Sequence, residues 1–213
     1  GVARRHKMAG IQATAAALVR EIASERGWSD EELADRTVPT AGFDDDDGLL
    51  RLSYGEREFT GRLTPDLKIR VTGPDGRSRA GLPAPRAGED AEVVKAAKKR
   101  LSAARKEAKT VLAAQTERLR EAMCLQRSRH LLAHPLMSVL AQRLIWTAIP
   151  PEGGPVSLRP EAGGALIGLD DAVVELDDEA RVTIAHGTLL GPEAAAAWRQ
   201  HLADYEIEPL FDQ

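Results

Sequence analysis

Apolar positions along the chain first follow a helical rhythm. Ile11, Ala15, Leu18 and Ile22 recur at that spacing within 9–26, and Gly27 follows as a fitting C-terminal cap. Ser29-Asp30-Glu31-Glu32 has the form of a capping box opening a short second helix through Leu33. Between 48 and 72 the period changes to two. Leu50, Leu52 and Tyr54 alternate with Arg51 and Ser53, and Leu67, Ile69 and Val71 alternate with Lys68 and Arg70, with Phe59 and Leu63 between. Turn residues at Gly55-Glu56, Thr64-Pro65-Asp66 and Gly73-Pro74-Asp75-Gly76 divide this stretch into a three-stranded antiparallel meander with one wet face. A Pro/Gly-rich loop over 77–90 leads to the strongest helical signal, 91–130. Its thin seam of Val94, Ala97, Leu101, Ala104, Ala108 and Val111 continues less regularly through Leu119 and Ala122. An unbroken helix there spans about 60 Å, so a break is expected near 113–116. Pro135 is placed to open a further helix, apolar through Leu136, Leu140, Leu144 and Ile145. Val173–Leu176 and Arg181–Ala185 flank Asp177-Asp178-Glu179 as a β-hairpin, and Gly191-Pro192 opens a last helix containing Trp198 and Leu202.

The order helices, strands, helices, strands, helix defines an α+β fold, an antiparallel meander and a hairpin packed with several helices, one of them long. The division expected is an N-terminal helical segment over 1–36, the end of an upstream helical region, followed by an α+β domain over 37–213. A chain that begins at Gly1 is expected to be an excerpt of a longer protein.

Charge changes the picture more than composition does. The formal net charge of −4 hides a segregation: residues 91–130 hold 11 Lys and Arg against 4 Asp and Glu, and residues 161–213 hold 2 against 12. Either the two segments face one another in the fold, or the basic one meets an acidic partner or nucleic acid. The bases concerned are Lys95, Lys98, Lys99, Arg105, Lys106 and Lys109, mostly off the apolar seam. A phosphate backbone is a candidate ligand for them, but the stretch carries no aromatic side chain for base stacking. Only 4% of residues are aromatic, so the core must rest on Leu, Val, Ile and Ala. The single cysteine, Cys124, rules out an intramolecular disulfide and fits a reducing, cytoplasmic setting. Neither a secretory signal nor a membrane span is expected.

Motifs that carry chemistry are incomplete. His130 and His134 are four apart, but Leu131 stands where a zinc hydrolase needs Glu, and Pro135 biases His134 away from helical geometry. A helix boundary, with the His134 ring capping or packing there, is the expectation. Asp44-Asp45-Asp46-Asp47-Gly48 fails as a calcium loop, because Phe43 and Tyr54 occupy positions that must be carboxylates. Cys124 lies between Met123 and Leu125, the setting of an inert buried thiol. The chain has neither a Gly-x-Ser-x-Gly elbow nor a glycine-rich nucleotide loop. No cofactor and no metal is expected. Trp146, Trp198 and Tyr205 are read as core residues.

Several stations nevertheless line up: Val38–Asp44, Leu52-Ser53-Tyr54-Gly55-Glu56-Arg57, Gly76 with Leu82-Pro83, His134-Pro135-Leu136, Leu144-Ile145-Trp146, and Trp198 with Asp204–Pro209. Together they resemble domain of unknown function 4132, found near the C-terminus of bacterial proteins similar to the molybdate metabolism regulator MolR. The resemblance covers roughly 28–213. Some members of that family also carry a WGR module, but Gly27-Trp28-Ser29 is not a Trp-Gly-Arg motif. The chain departs from the pattern in the expanded acidic turn Asp44–Asp47 and in Gly187, where Pro is expected after His186. It also stops at Gln213, about where family members continue.

The family carries little biochemistry, so the functional reading rests on the charge segregation and the lack of any complete catalytic motif: a non-catalytic interaction or regulatory domain of a larger MolR-like protein, docking a protein partner or the rest of its own chain. The six bases are its candidate binding residues. The alternatives are an enzyme or accessory enzyme domain with a site near His134 and His186, and salt-sensitive nucleic-acid binding through the basic helix. The reading leans away from an enzyme.

Overall fold

The structure, a computed structural model, describes residues 9–121, 123, 125–149, 154–177 and 180–212. These fall into two units, Gly1–Pro39 and Thr40–Gln213. The N-terminal unit holds α1 (Ala9–Glu25) and α2 (Asp30–Arg36). Gly27 between them has φ 66°, the left-handed value that glycine adopts at least cost. The Ser29 hydroxyl accepts the Glu32 amide at 3.2 Å, capping α2. Arg36 stacks over Trp28 at 4.3 Å and pairs with Glu32. The expected apolar face of α1 is open, with Ile11, Leu18 and Ile22 all exposed.

The second unit opens with the meander, β1 (Leu50–Ser53), β2 (Glu58–Leu63), β3 (Ile69–Thr72) and the short β4 (Ser78–Arg79), paired in that order. Alternation puts Leu50, Leu52, Phe59, Leu63, Ile69 and Val71 on the buried face. Gly61 belongs to that face because a Cβ there would lie 3.2 Å from Leu50 Cβ and Ile69 Cγ2. The acidic turn before β1 closes on itself: Asp44 and Asp47 accept the amides of Asp46 and Leu49, each at 2.9 Å.

Tyr54 and Arg57 pin the following loop to this sheet. The Tyr54 hydroxyl donates to the Pro83 carbonyl at 3.1 Å. The Arg57 guanidinium grips both carboxylate oxygens of Glu89, one at 2.8 Å, and also reaches the Ala84 carbonyl. That grip holds the Glu89 carboxyl at about 2, against an ordinary 4.5. Asp90 follows and caps the long helix α3 (Ala91–Glu121) by accepting the Glu92 amide at 2.7 Å.

α3 runs unbroken through 113–116, where a break was expected, and ends at Glu121 rather than near 130. Its buried residues are the seam read from the sequence, Leu119 included, with Leu112 added. α3 packs on β1 with one part and on α5 with another, and so joins the meander to a second sheet. Ala122 and Cys124 lie outside the described residues.

The chain then forms β5 (Arg127–Ser128), α4 (His130–Ala133) and α5 (Met137–Ala141). The helix expected through Ile145 stops short. Trp146 instead begins β6 (Trp146–Ala148), and its indole N–H donates to the Ala141 carbonyl at 3.0 Å. β7 (Val156–Pro160), β8 (Leu166–Ile167) and β9 (Arg181–Ile184) complete an antiparallel sheet ordered β5-β9-β6-β7-β8. The hairpin expected between 173–176 and 181–185 does not form. β9 inserts between β5 and β6, where both its edges are paired, and Val173 makes only a single bridge to Ile167. Asp178 and Glu179, at the expected turn, lie outside the described residues.

α6 (Gly187–Leu190) and α7 (Pro192–Asp204) follow. Trp198 and Leu202 on α7 pack with Ile145 and Ala185. The Trp198 indole N–H donates to the Ser157 hydroxyl at 2.9 Å, fastening α7 to β7. Arg143 ties down the C-terminal segment through the Glu208 and Pro209 carbonyls. The architecture is α+β. No described helix is long and apolar enough to cross a membrane.

Candidate functional site

Between the loop leading into β3 and the C-terminal half of α3 lies an open groove of about 680 Å³. Two kinds of local structure make it. On the strand side, the Thr64-Pro65-Asp66-Leu67-Lys68 turn is closed by Leu67 N donating to Thr64 O at 2.8 Å and by Thr64 N donating to Lys68 O at 2.9 Å. Leu67 sits there with φ 58°, a position that glycine normally takes in such hairpin loops. Its side chain is 36% exposed and faces the groove beside Ile69. On the helix side, Ala108, Leu112 and Ala113 supply an apolar wall, and the small Ala side chains leave the space open.

Cations rim this wall. Lys68, Arg70, Arg105 and Lys109 all line the groove. Asp66 neutralises part of the rim through Lys68 at 3.2 Å and Arg70 at 3.5 Å. Its carboxyl is held at about 2 by the Thr64 hydroxyl first and by Lys68 after it. Arg105 is anchored rather than free, donating to the Ala80 and Ile69 carbonyls. Lys109 has no ion-pair partner among the described residues and stands exposed at the rim.

All six bases singled out from the sequence are exposed. Successive residues step about 100° around a helix, which places Lys95, Lys98, Lys99, Arg105, Lys106 and Lys109 within an arc of about 120° flanking the buried seam. Glu92, Glu107 and Glu121 lie beyond that arc. Lys95 pairs with Glu92 at 3.3 Å. Lys98, Lys99 and Lys106 have no ion-pair partner among the described residues. None of the six is ion-paired to an acid of 161–213 among the described residues, so the segregated charges do not neutralise each other by such contacts.

The two candidate histidines are used locally. His134 ends α4 with extended geometry, φ −62° and ψ 136°, as the following proline requires. Its Nδ1 accepts the Leu136 and Met137 amides at 3.2 and 3.3 Å, capping the start of α5. His186 caps α6, its Nδ1 accepting the Thr188 amide at 3.3 Å and lying against the Thr188 hydroxyl. No group of three or more metal-ligating side chains is assembled among the described residues.

A polar cluster that the sequence did not reveal lies elsewhere in the same unit. Arg159 of β7 and His201 of α7 are both more than nine-tenths buried, and Arg159 Nε and His201 Nε2 lack hydrogen-bond partners among the described residues. Asp171 stands 3.9 Å from His201 Nδ1 and accepts the Tyr205 hydroxyl at 2.9 Å. Arg159 lies over the Tyr205 ring at 5.3 Å. Burial, and then the Arg159 charge, push the His201 pKa below its usual value, so the ring is neutral near pH 7. Tyr205 itself is 48% exposed, not a core residue as expected, whereas Trp146 and Trp198 are buried.

Residues 76–213 match the model of the family described as Domain of unknown function (DUF4132), and the protein belongs to that family. The chain is also 32% identical over 222 residues to the uncharacterized protein YehI of Escherichia coli (strain K12). That match takes in 100% of this chain and 18% of YehI, so the chain spans less than a fifth of that relative's length. No solved structure matches it.

Proposed function

We propose that the chain is a non-catalytic interaction or regulatory domain of a larger, cytoplasmic bacterial MolR-like protein, and that it docks a protein partner or another part of its own chain through the groove between α3 and β3. The observation that carries this reading is the groove itself. An apolar wall, a leucine held in a left-handed turn with its side chain toward solvent, and a flanking arc in which Lys98, Lys99, Lys106 and Lys109 have no ion-pair partner among the described residues occur together on one surface. Helix-lined apolar grooves of this kind recur in the recognition of peptide segments. The small share of YehI that this chain represents leaves most of such a protein to supply an occupant from within.

A photo-crosslinking side chain at Ala113, placed in the full-length parent protein and activated in cells of its own bacterium, tests the reading. Docking gives a discrete peptide joined at that position, from the parent chain or from one partner. The absence of any peptide adduct there would overturn it.

A further inference from the structure

The occupant's chemistry can be read from the groove, and this step rests on the docking function proposed above. We infer that the groove takes an acidic amphipathic helical segment of about three turns. Length comes first. The helix wall runs from Arg105 to Thr116, which at 1.5 Å per residue is about 17 Å, matching about eleven residues of a helix laid alongside. The contact surface comes second. Leu67 offers an exposed apolar position, backed by the buried Ile69 and Leu112, with Ala108 and Ala113 leaving room for inserted side chains. A helix presenting apolar residues at a spacing of three and four fills such a trough.

Charge decides the rest. Lys109 at the rim and Lys106 beside it have no ion-pair partner among the described residues, nor do Lys98 and Lys99 about two turns toward the start of α3, and the acids of 161–213 do not serve them there. A segment with carboxylates beside its apolar row supplies the missing partners and is steered to the groove, whereas a basic one is repelled. Nucleic acid fits less well. The bases adjoin an apolar trough, and α3 has no aromatic side chain on which a nucleotide base would stack.

The test uses the full-length parent protein with the photo-crosslinker at Ala113, in three backgrounds: otherwise unchanged, Lys106→Glu with Lys109→Glu, and Lys106→Arg with Lys109→Arg. Circular dichroism confirms that each folds. The unchanged protein is expected to join a segment with apolar residues at three-and-four spacing flanked by Asp and Glu. The yield should fall roughly tenfold in the Glu variant and persist in the Arg variant. A basic or neutral crosslinked segment, a nuclease-sensitive adduct, or a yield indifferent to charge reversal overturns the acidic-helix inference. In the first and third of these cases the docking function still stands. No adduct in any background overturns both.

Discussion

Replacing Leu67 with glycine separates what the turn needs from what the groove needs. A left-handed φ of 58° costs a side-chain-bearing residue about 1–2 kcal/mol, and glycine escapes that cost. Against this stands glycine's extra freedom in the unfolded chain, about 0.4–1 kcal/mol. Packing is also lost. Leu67 is 36% exposed, so about two-thirds of a full leucine burial is forfeited, roughly 1–2 kcal/mol. The three nearly cancel, and Leu67→Gly is expected to change the unfolding free energy by less than about 1 kcal/mol. A leucine buried for structural reasons behaves differently. Leu112→Ala, at 4% exposure, is expected to cost about 2–5 kcal/mol. Urea unfolding of the two variants, followed by circular dichroism, makes the comparison. A loss above about 2 kcal/mol for Leu67→Gly would show that the leucine is a core residue, and would refute its assignment as a surface kept for docking.

Three further outcomes follow from single contacts. In a double-mutant cycle, Trp198→Phe and Ser157→Ala should show a coupling of about 1 kcal/mol, since they share one buried-ring hydrogen bond at 2.9 Å; additive effects would deny that α7 is fastened there. His201 has a lowered pKa in the folded state, so the unfolded chain takes up its proton first. Its stabilising contribution is present above the ordinary value of 6.5 and is lost as pH falls through that value toward the folded one. His201→Gln should therefore flatten the stability profile between pH 7 and 5. His134→Ala, which removes the acceptor for two amides, should cost about 1 kcal/mol by thermal unfolding.

The parts of the fold that were legible in the sequence depend on local periodicity. The α3 seam and the alternation of the meander state which face is buried within a few residues of chain, and the Ser29 cap and the His134 boundary are equally local. The second sheet was misread because its order is not the chain order. Arg181–Ile184 pairs with β5 and β6 rather than with the nearest apolar run, a choice made by long-range burial. The helix expected after Pro135 gave way to β6 because Trp146 is fully buried as a strand residue between β7 and β9. The six bases were visible as a charge run, but the groove beside them was not. It is assembled from a turn at Leu67 and a helix wall at Leu112, which only the tertiary fold brings together. A leucine in the glycine position of a Pro65-Asp66 turn was the available signal. The Arg159–His201–Tyr205 cluster left no comparable trace, because His201 and Tyr205 at the end of α7 meet Arg159 of β7 and Asp171 only through the tertiary fold.

Hydroxyl-radical footprinting of Leu67 tests the central claim most directly, comparing the 213-residue chain alone with the larger protein proposed to contain it, inside its own cells. Docking predicts that Leu67 and Lys109 are reactive in the isolated chain and protected several-fold in the cell, while Leu125, exposed and outside the groove, is unchanged. Equal reactivity of Leu67 in both settings would mean that nothing occupies the groove and would contradict the account.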